Sequence, residues 1–227
     1  LVGGQTNRSW LLDTDAGRAV LRLNYEQGPK LGIDRGREAL ILKALSDKPY
    51  VPPLWYQKPI LGCQVTGFVA GELYDIHTLP SEHHPLLREI VEDYQGIVLP
   101  PIAPMDYHEY LLRYWVRCRT EGLIEPEWYT EWEAFVPELK AFQEADWTPV
   151  LCHHDLEGRN MIVSDAGLTI LDWEYAHLGH SEFDLTPQYE RSSPLPTSTI
   201  RQLNSWLSRL WEALRAASEH SAIESKN

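Results

Sequence analysis

The sequence predicts an α+β fold in two parts, a small antiparallel β-rich lobe over residues 1–70 and a larger, mainly helical lobe over residues 71–227. Three observations carry this expectation. Short apolar segments flank a turn near the N-terminus. Beyond residue 71 the chain reads as long helices separated by proline-rich stretches. A short β-rich insert then interrupts those helices between residues 149 and 171.

The first element is a hairpin. Arg8 to Leu12 and Arg18 to Leu23 flank the turn-prone Asp13-Thr14-Asp15-Ala16-Gly17. In the second segment Ala19, Leu21 and Leu23 share one strand face and Val20, Arg22 and Asn24 the other, so Arg22 points away from the apolar face. Asp34 is placed to cap a helix reaching about Ser46, with Ile41 and Leu45 on one stripe and Glu38 and Leu42 one helical step apart. Pro49 stops that helix and Pro52-Pro53 prevents its resumption. A strand from about Cys63 to Val69 ends at Ala70-Gly71, where the lobe boundary is drawn. Helices follow near 81–97, 106–121, 127–145 and 198–217, with proline-rich breaks at 100–104 and 194–196. Between the third and fourth of these lie strands at Pro149 to Cys152, Met161 to Val163 and Leu168 to Leu171. The last two enclose the turn Ser164-Asp165-Ala166-Gly167, and the tail after Ala217 reads as frayed.

Composition narrows the function. With 43% hydrophobic and 23% charged residues in 26.1 kDa, the chain is neither disordered nor a disulfide scaffold. Its net charge of −13 repels a phosphate backbone, which argues against a nucleic-acid partner and suits a cationic or metal-bound ligand. No apolar run approaches the roughly 18 residues of a membrane span, and no basic-then-apolar leader opens the chain. Cys63, Cys118 and Cys152 form no CxxC pair, so reduced thiols in a cytoplasmic protein are expected.

The chemistry is concentrated in His153-His154-Asp155-Leu156-Glu157-Gly158-Arg159-Asn160, followed twelve residues later by Asp172 in Leu171-Asp172-Trp173-Glu174. A strand delivers a polar loop holding one carboxylate and one amide, and a hairpin then brings a second carboxylate alongside. Asn and Asp oxygens are hard ligands of the kind Mg²⁺ takes when phosphates and water complete its octahedron. Asp155, five residues before the amide, is left to accept a hydrogen bond from an attacking hydroxyl. Phosphoryl transfer needs this division of labour, since positioning and charge neutralisation do most of the work. The first motif alone also arises by chance, and Asp-Trp-Glu after a strand is equally what a solvated turn looks like; the joint spacing favours chemistry.

These residues resemble a known family, the aminoglycoside phosphotransferases and choline kinases of protein-kinase-like fold, most nearly the choline/ethanolamine and bacterial thiamine kinase branch. The matching stretches are Gly3-Gly4-Gln5-Thr6-Asn7-Arg8, Val20-Leu21-Arg22-Leu23, Arg37-Glu38, Val65 to Gly71, His153 to Asn160, and Leu171 to Ala176 through Phe183-Asp184. The resemblance implies ATP and Mg²⁺ as cofactors. Gly3, Gly4, Thr6 and Asn7 match the nucleotide loop, Arg22 the basic residue that grips ATP phosphates, and Glu38 its helix partner. Asp155 would be the catalytic acceptor, Asn160 and Asp172 the metal ligands, and His153 a buried support for the loop. Asp184 matches a family aspartate that starts the next helix, where capping would explain it equally well. The chain opens almost on the nucleotide loop, so the N-lobe is expected to lack its first element.

The expected acceptor is the hydroxyl of a small, cationic alcohol such as thiamine, choline or ethanolamine. Asp-Trp-Glu differs from the Asp-Phe-Gly of protein kinases, which disfavours a protein substrate. Glu157 and Glu174 would flank Asp155 and face the cation, and Tyr110, among Tyr107, Tyr114 and Trp115 on one helix, would offer an aromatic face. Glu190 and Trp206 are further candidates. An aminoglycoside or sugar acceptor is the alternative within the enzyme class, and an inactive nucleotide-binding pseudokinase the alternative outside it.

Overall fold

The turn between the two N-terminal apolar segments closes a hairpin of β1 (Asn7–Thr14) and β2 (Gly17–Asn24). Thr14 Oγ1 accepts from Ala16 N–H and donates to the Gly17 carbonyl, and Gly17 takes φ 116°, a conformation that favours glycine. This is a computed structural model, and it describes residues 7–24, 32–185 and 198–224.

The hairpin continues into a four-stranded antiparallel sheet of order β1-β2-β4-β3, with β3 (Leu54–Lys58) and β4 (Cys63–Gly67) joined by a single turn of 3₁₀ helix. Between β2 and β3 lies α1 (Arg35–Ala44), capped as expected by Asp34, whose Oδ1 accepts from Gly36 and Arg37 N–H. Burial does not follow the apolar alternation of β2: Leu23 is exposed, whereas Arg22 on the opposite face is partly buried. A three-stranded antiparallel sheet β5-β7-β8 joins β5 (Glu72–Tyr74) to the hairpin β7 (Met161–Ser164) and β8 (Gly167–Ile170). Here Gly71 is required sterically, because a Cβ would lie 2.3 Å from the Val163 carbonyl oxygen. The helix α2 (His84–Gln95) and the paired strands β6 (Val150–Cys152) and β9 (His177–Gly179) complete this part of the chain.

The chain divides into two compact units, residues 1–104 with 148–188 and residues 105–147 with 189–227. This differs from the expected boundary at residue 70, and the reason is visible in packing. The strand just beyond that boundary, β5, is paired to β7, and one core joins Ile41 of α1 and Leu45 just after it, Leu87, Val91 and Tyr94 of α2, Leu151 of β6, and Met161 and Ile170 of the β7–β8 hairpin. The second unit holds α3 (Tyr107–Thr120), α4 (Pro126–Glu144) and α5 (Ser198–Glu224). These helices close on a tryptophan cluster in which Trp115 stacks on Trp132 at 4.3 Å and Trp206 meets both edge-on. The tail expected to fray after Ala217 continues α5 to Glu224. Among the described residues, antiparallel strands with five α-helices make the α+β fold expected from the sequence.

Candidate active site

The loop between β6 and β7 is held from beneath by two buried side chains. His153 Nδ1 accepts the Asp155 N–H at 3.2 Å, so its Nε2 carries the proton and donates to the Leu171 carbonyl at 2.8 Å. Burial lowers its pKa, which keeps the ring neutral. Asp184 lies inside the 3₁₀ turn Phe183–Leu185, and its carboxylate serves the loop instead of a cap. Its Oδ2 accepts Tyr94 O–H and His153 N–H, each at 2.6 Å, and its Oδ1 accepts His154 N–H at 3.0 Å. A buried carboxylate therefore fixes the two peptide units immediately before Asp155.

Within the loop, Asn160 Nδ2 donates to the Asp155 backbone carbonyl at 2.9 Å and to Asp155 Oδ2 at 2.7 Å. Leu171 N–H donates to the Asn160 carbonyl at 2.7 Å, which sets Asn160 beside the residue preceding Asp172. Gly158 makes room for this arrangement, since a Cβ there would stand 2.7 Å from Asn160 Nδ2 and 2.9 Å from Asp155 Oδ2. Among the described residues the only two non-glycines with positive φ are His154 at 65° and Asp172 at 56°, both part of this site. Such backbone costs about 1–3 kcal/mol each and persists where surrounding bonds enforce it.

A charged network reaches the site from the four-stranded sheet. The Arg22 guanidinium donates through Nη1 to Asp172 Oδ1 at 2.7 Å and through Nη2 to Glu38 Oε1. Arg35, at the start of α1, shares Nη1 between Glu38 Oε2 at 2.9 Å and Glu174 Oε2 at 2.8 Å. Its Nη2 donates to Asn7 Oδ1 at 2.9 Å, and Asn7 Nδ2 closes the ring on Glu174 Oε2 at 2.7 Å. The three acceptor residues are buried, Glu38 1% exposed, Glu174 3% and Asn7 5%, and the two arginines are partly buried, at 11% for Arg22 and 14% for Arg35. Burial works against the Arg22 charge, but the carboxylates of Asp172 and Glu38 outweigh it and hold its pKa above the ordinary value.

The carboxylates outnumber their cationic partners. Asp155 is pushed up to about 8, first by burial and then by the charge of Asp172, against the lowering bond from Asn160. Although a third of its side chain is exposed, Asp172 is raised too, by desolvation first and Glu174 second, with Arg22 opposing. A divalent cation would relieve this repulsion. The donors suit Mg²⁺: Asn160 Nδ2 is committed to Asp155, which leaves its Oδ1 for a ligand, and no donor among the described residues bonds Asp172 Oδ2. Among the described residues no three His, Cys, Asp or Glu side chains are grouped to hold a metal, so an ion here would need further oxygens from outside the chain.

A family model described as the phosphotransferase enzyme family matches residues 1–217. The chain belongs to that family. No curated protein matches it, but its fold recurs in solved structures. Choline kinase LicA from Streptococcus pneumoniae superposes with a TM-score of 0.73 at 18% identity, over 97% of this chain and 84% of that one. A choline/ethanolamine kinase family protein from Mesorhizobium loti gives 0.63 at 18% identity, covering 97% and 79%. Aminoglycoside phosphotransferase APH(4)-Ia gives 0.60 at 14% identity, covering 92% and 76%. The expected protein-kinase-like fold is thus the fold of this phosphotransferase.

Of the residues singled out in the sequence, Asp155, Asn160, Asp172, Arg22 and Glu38 converge within the first unit. Asn7, matched to the nucleotide loop, opens β1 with its side-chain amide turned inward to Glu174 and Arg35. One expectation needs correction. Glu174 does not face a cationic acceptor, because it is buried and engaged by Asn7 and Arg35. Glu157 is exposed, and its charge reaches Asp155. Tyr110 belongs to the second unit, on α3, with its ring edge-on to Tyr114 at 5.3 Å. Trp206 is buried in the tryptophan cluster there. Gly3, Gly4, Thr6 and Glu190 lie outside the described residues. Sequence reasoning missed Arg35. Its signal was available, one residue after the Asp34 cap and three before Glu38, a spacing at which helix side chains meet.

Proposed function

We propose that this phosphotransferase is a small-molecule kinase that transfers the γ-phosphoryl group of ATP to the hydroxyl of a small cationic alcohol, of the thiamine, choline or ethanolamine kind. The observation that carries the reading is the convergence of Asp155, Asn160 and Asp172 on one loop and hairpin, with Arg22 bridging Asp172 and Glu38. In it Asp155 accepts the hydrogen bond of the attacking hydroxyl and orients its oxygen. Arg22 steadies the nucleotide phosphates, and Glu38 keeps the guanidinium in place. Gly3, Gly4 and Thr6 contribute backbone N–H groups to the phosphates, while Asn160 Oδ1 and Asp172 would hold Mg²⁺. That ion supplies positive charge against the carboxylates and the phosphate oxygens.

A cationic acceptor is supported by the net charge of −13 and by the exposed Glu157 near Asp155. An aminoglycoside is also polycationic, and the likeness to an aminoglycoside phosphotransferase keeps it as the second reading. Two variants separate the roles. Asp155→Asn is expected to abolish ADP release with acceptor while calorimetric affinity for Mg²⁺-ATP stays within a few-fold of wild type. Asp172→Ala is expected to lose the Mg²⁺ dependence of nucleotide binding. Equal loss of turnover and ATP affinity in Asp155→Asn would contradict its assignment, and unchanged metal dependence in Asp172→Ala would contradict the other.

A further inference from the structure

Arg35 has no part in the reading above, yet it makes as many charged contacts as Arg22. It is partly buried at the start of α1, and every polar bond it makes among those described runs to a residue beside the site. Nη1 lies between Glu38 Oε2 and Glu174 Oε2, and Nη2 bonds Asn7 Oδ1. Each partner occupies a separate piece of chain: Glu38 on α1, Glu174 two residues after Asp172, and Asn7 at the first position of β1, next to Thr6 of the expected nucleotide loop.

We propose that Arg35 is a positioning residue for the nucleotide site, because one guanidinium shared by Glu38, Glu174 and Asn7 fixes the carboxylate on which Arg22 rests and the chain on either side of it. The inference rests on the kinase reading of this site. The geometry explains why a single cation serves. Glu38 divides its two oxygens, Oε1 to Arg22 and Oε2 to Arg35. With Arg35 removed, Glu38 Oε2 and Glu174 Oε2 would face each other without the cation between them, and Glu38 would be free to rotate away from Arg22. Arg22 would then be left with Asp172 alone, a residue needed for the ion. Lysine cannot replace the fork, since one ammonium has to choose among acceptors that two guanidinium nitrogens reach together.

The test is isothermal titration with Mg²⁺-ADP of wild type, Arg35→Met, Arg22→Met, the double variant and Arg35→Lys, with ligand-free thermal melts alongside. Loss of a residue that orients a metal-ligating side chain lowers affinity about 10- to 100-fold, and a weakening of that order is expected for Arg35→Met, with Arg35→Lys falling between it and wild type. Because Arg35 acts through Arg22, the double variant should bind no more than about threefold more weakly than Arg22→Met, a non-additivity typical of residues in one network. A merely structural arginine would give multiplying losses, and that result, or wild-type affinity in Arg35→Met, overturns the proposal. If Arg35→Met does not fold, Arg35→Lys and its combination with Arg22→Met carry the same comparison. Failure of wild type itself to bind Mg²⁺-ADP would overturn the kinase reading and this inference together, a result distinct from binding that Arg35 does not affect.

Discussion

Replacing Asp184 should loosen the loop between β6 and β7 by an amount set by three hydrogen bonds. Its carboxylate is 3% exposed and accepts from Tyr94 O–H, His153 N–H and His154 N–H, with Tyr94 and His153 fully buried. In Asp184→Asn the amide oxygen keeps two bonds by taking the place of Oδ2, and its NH₂ then confronts His154 N–H. One charge-assisted bond is lost and two donors oppose each other, a cost of about 2–3 kcal/mol. In Asp184→Ala all three donors lose their acceptor at about 1–3 kcal/mol apiece, so the total should reach about 3–5 kcal/mol once water enters the space. Urea unfolding gives both values as midpoint shifts at constant slope. Losses below about 1 kcal/mol, or equal losses in the two variants, would refute the claim that these bonds hold the loop.

Two further outcomes follow from the same geometry. Gly158→Ala would press a Cβ against Asn160 Nδ2 and Asp155 Oδ2, so it should lower turnover far more than it lowers the melting temperature; unchanged turnover would show that the Asp155–Asn160 bond is dispensable. His177 is lowered to about 4 by burial and by the Arg37 charge, so the unfolded chain takes up a proton below about 6.5 that the folded chain refuses. Its contribution is therefore lost as pH falls from about 6.5 toward 4. His177→Gln should flatten the stability curve in that window by up to about 1.4 kcal/mol per pH unit, and identical slopes in the two proteins would contradict the assignment.

Local signals made much of the molecule legible in advance. The Asp-Thr-Asp-Ala-Gly turn placed the first hairpin, Asp34 placed the start of α1, and the spacing of Asp155, Asn160 and Asp172 anticipated that these three candidate side chains come together. Long-range pairing was not legible. β5 has three residues, too few for an alternation, and exists because β7 pairs with it some ninety residues later. The same distance hid the boundary between units, since nothing near residue 70 announces that β5 will join that hairpin. Glu174 was misread for a related reason. It is a polar residue two positions after Asp172, so it was expected to face an acceptor; its bond to Asn7 spans 167 residues and is visible only once the strands are in place. Asp184 was recognised at its position, but its three donors come from α2 and from the loop after β6.

The central claim is that this site moves a phosphoryl group to a small alcohol, and the most direct measurement is product formation from Mg²⁺-ATP with thiamine, choline, ethanolamine and an aminoglycoside, wild type and Asp155→Asn side by side. Phosphorylated product with at least one acceptor in wild type, and none in the variant, is the predicted result. Product formed equally well by Asp155→Asn, or no product and no thermal stabilisation of the wild type by Mg²⁺-ATP, would contradict it.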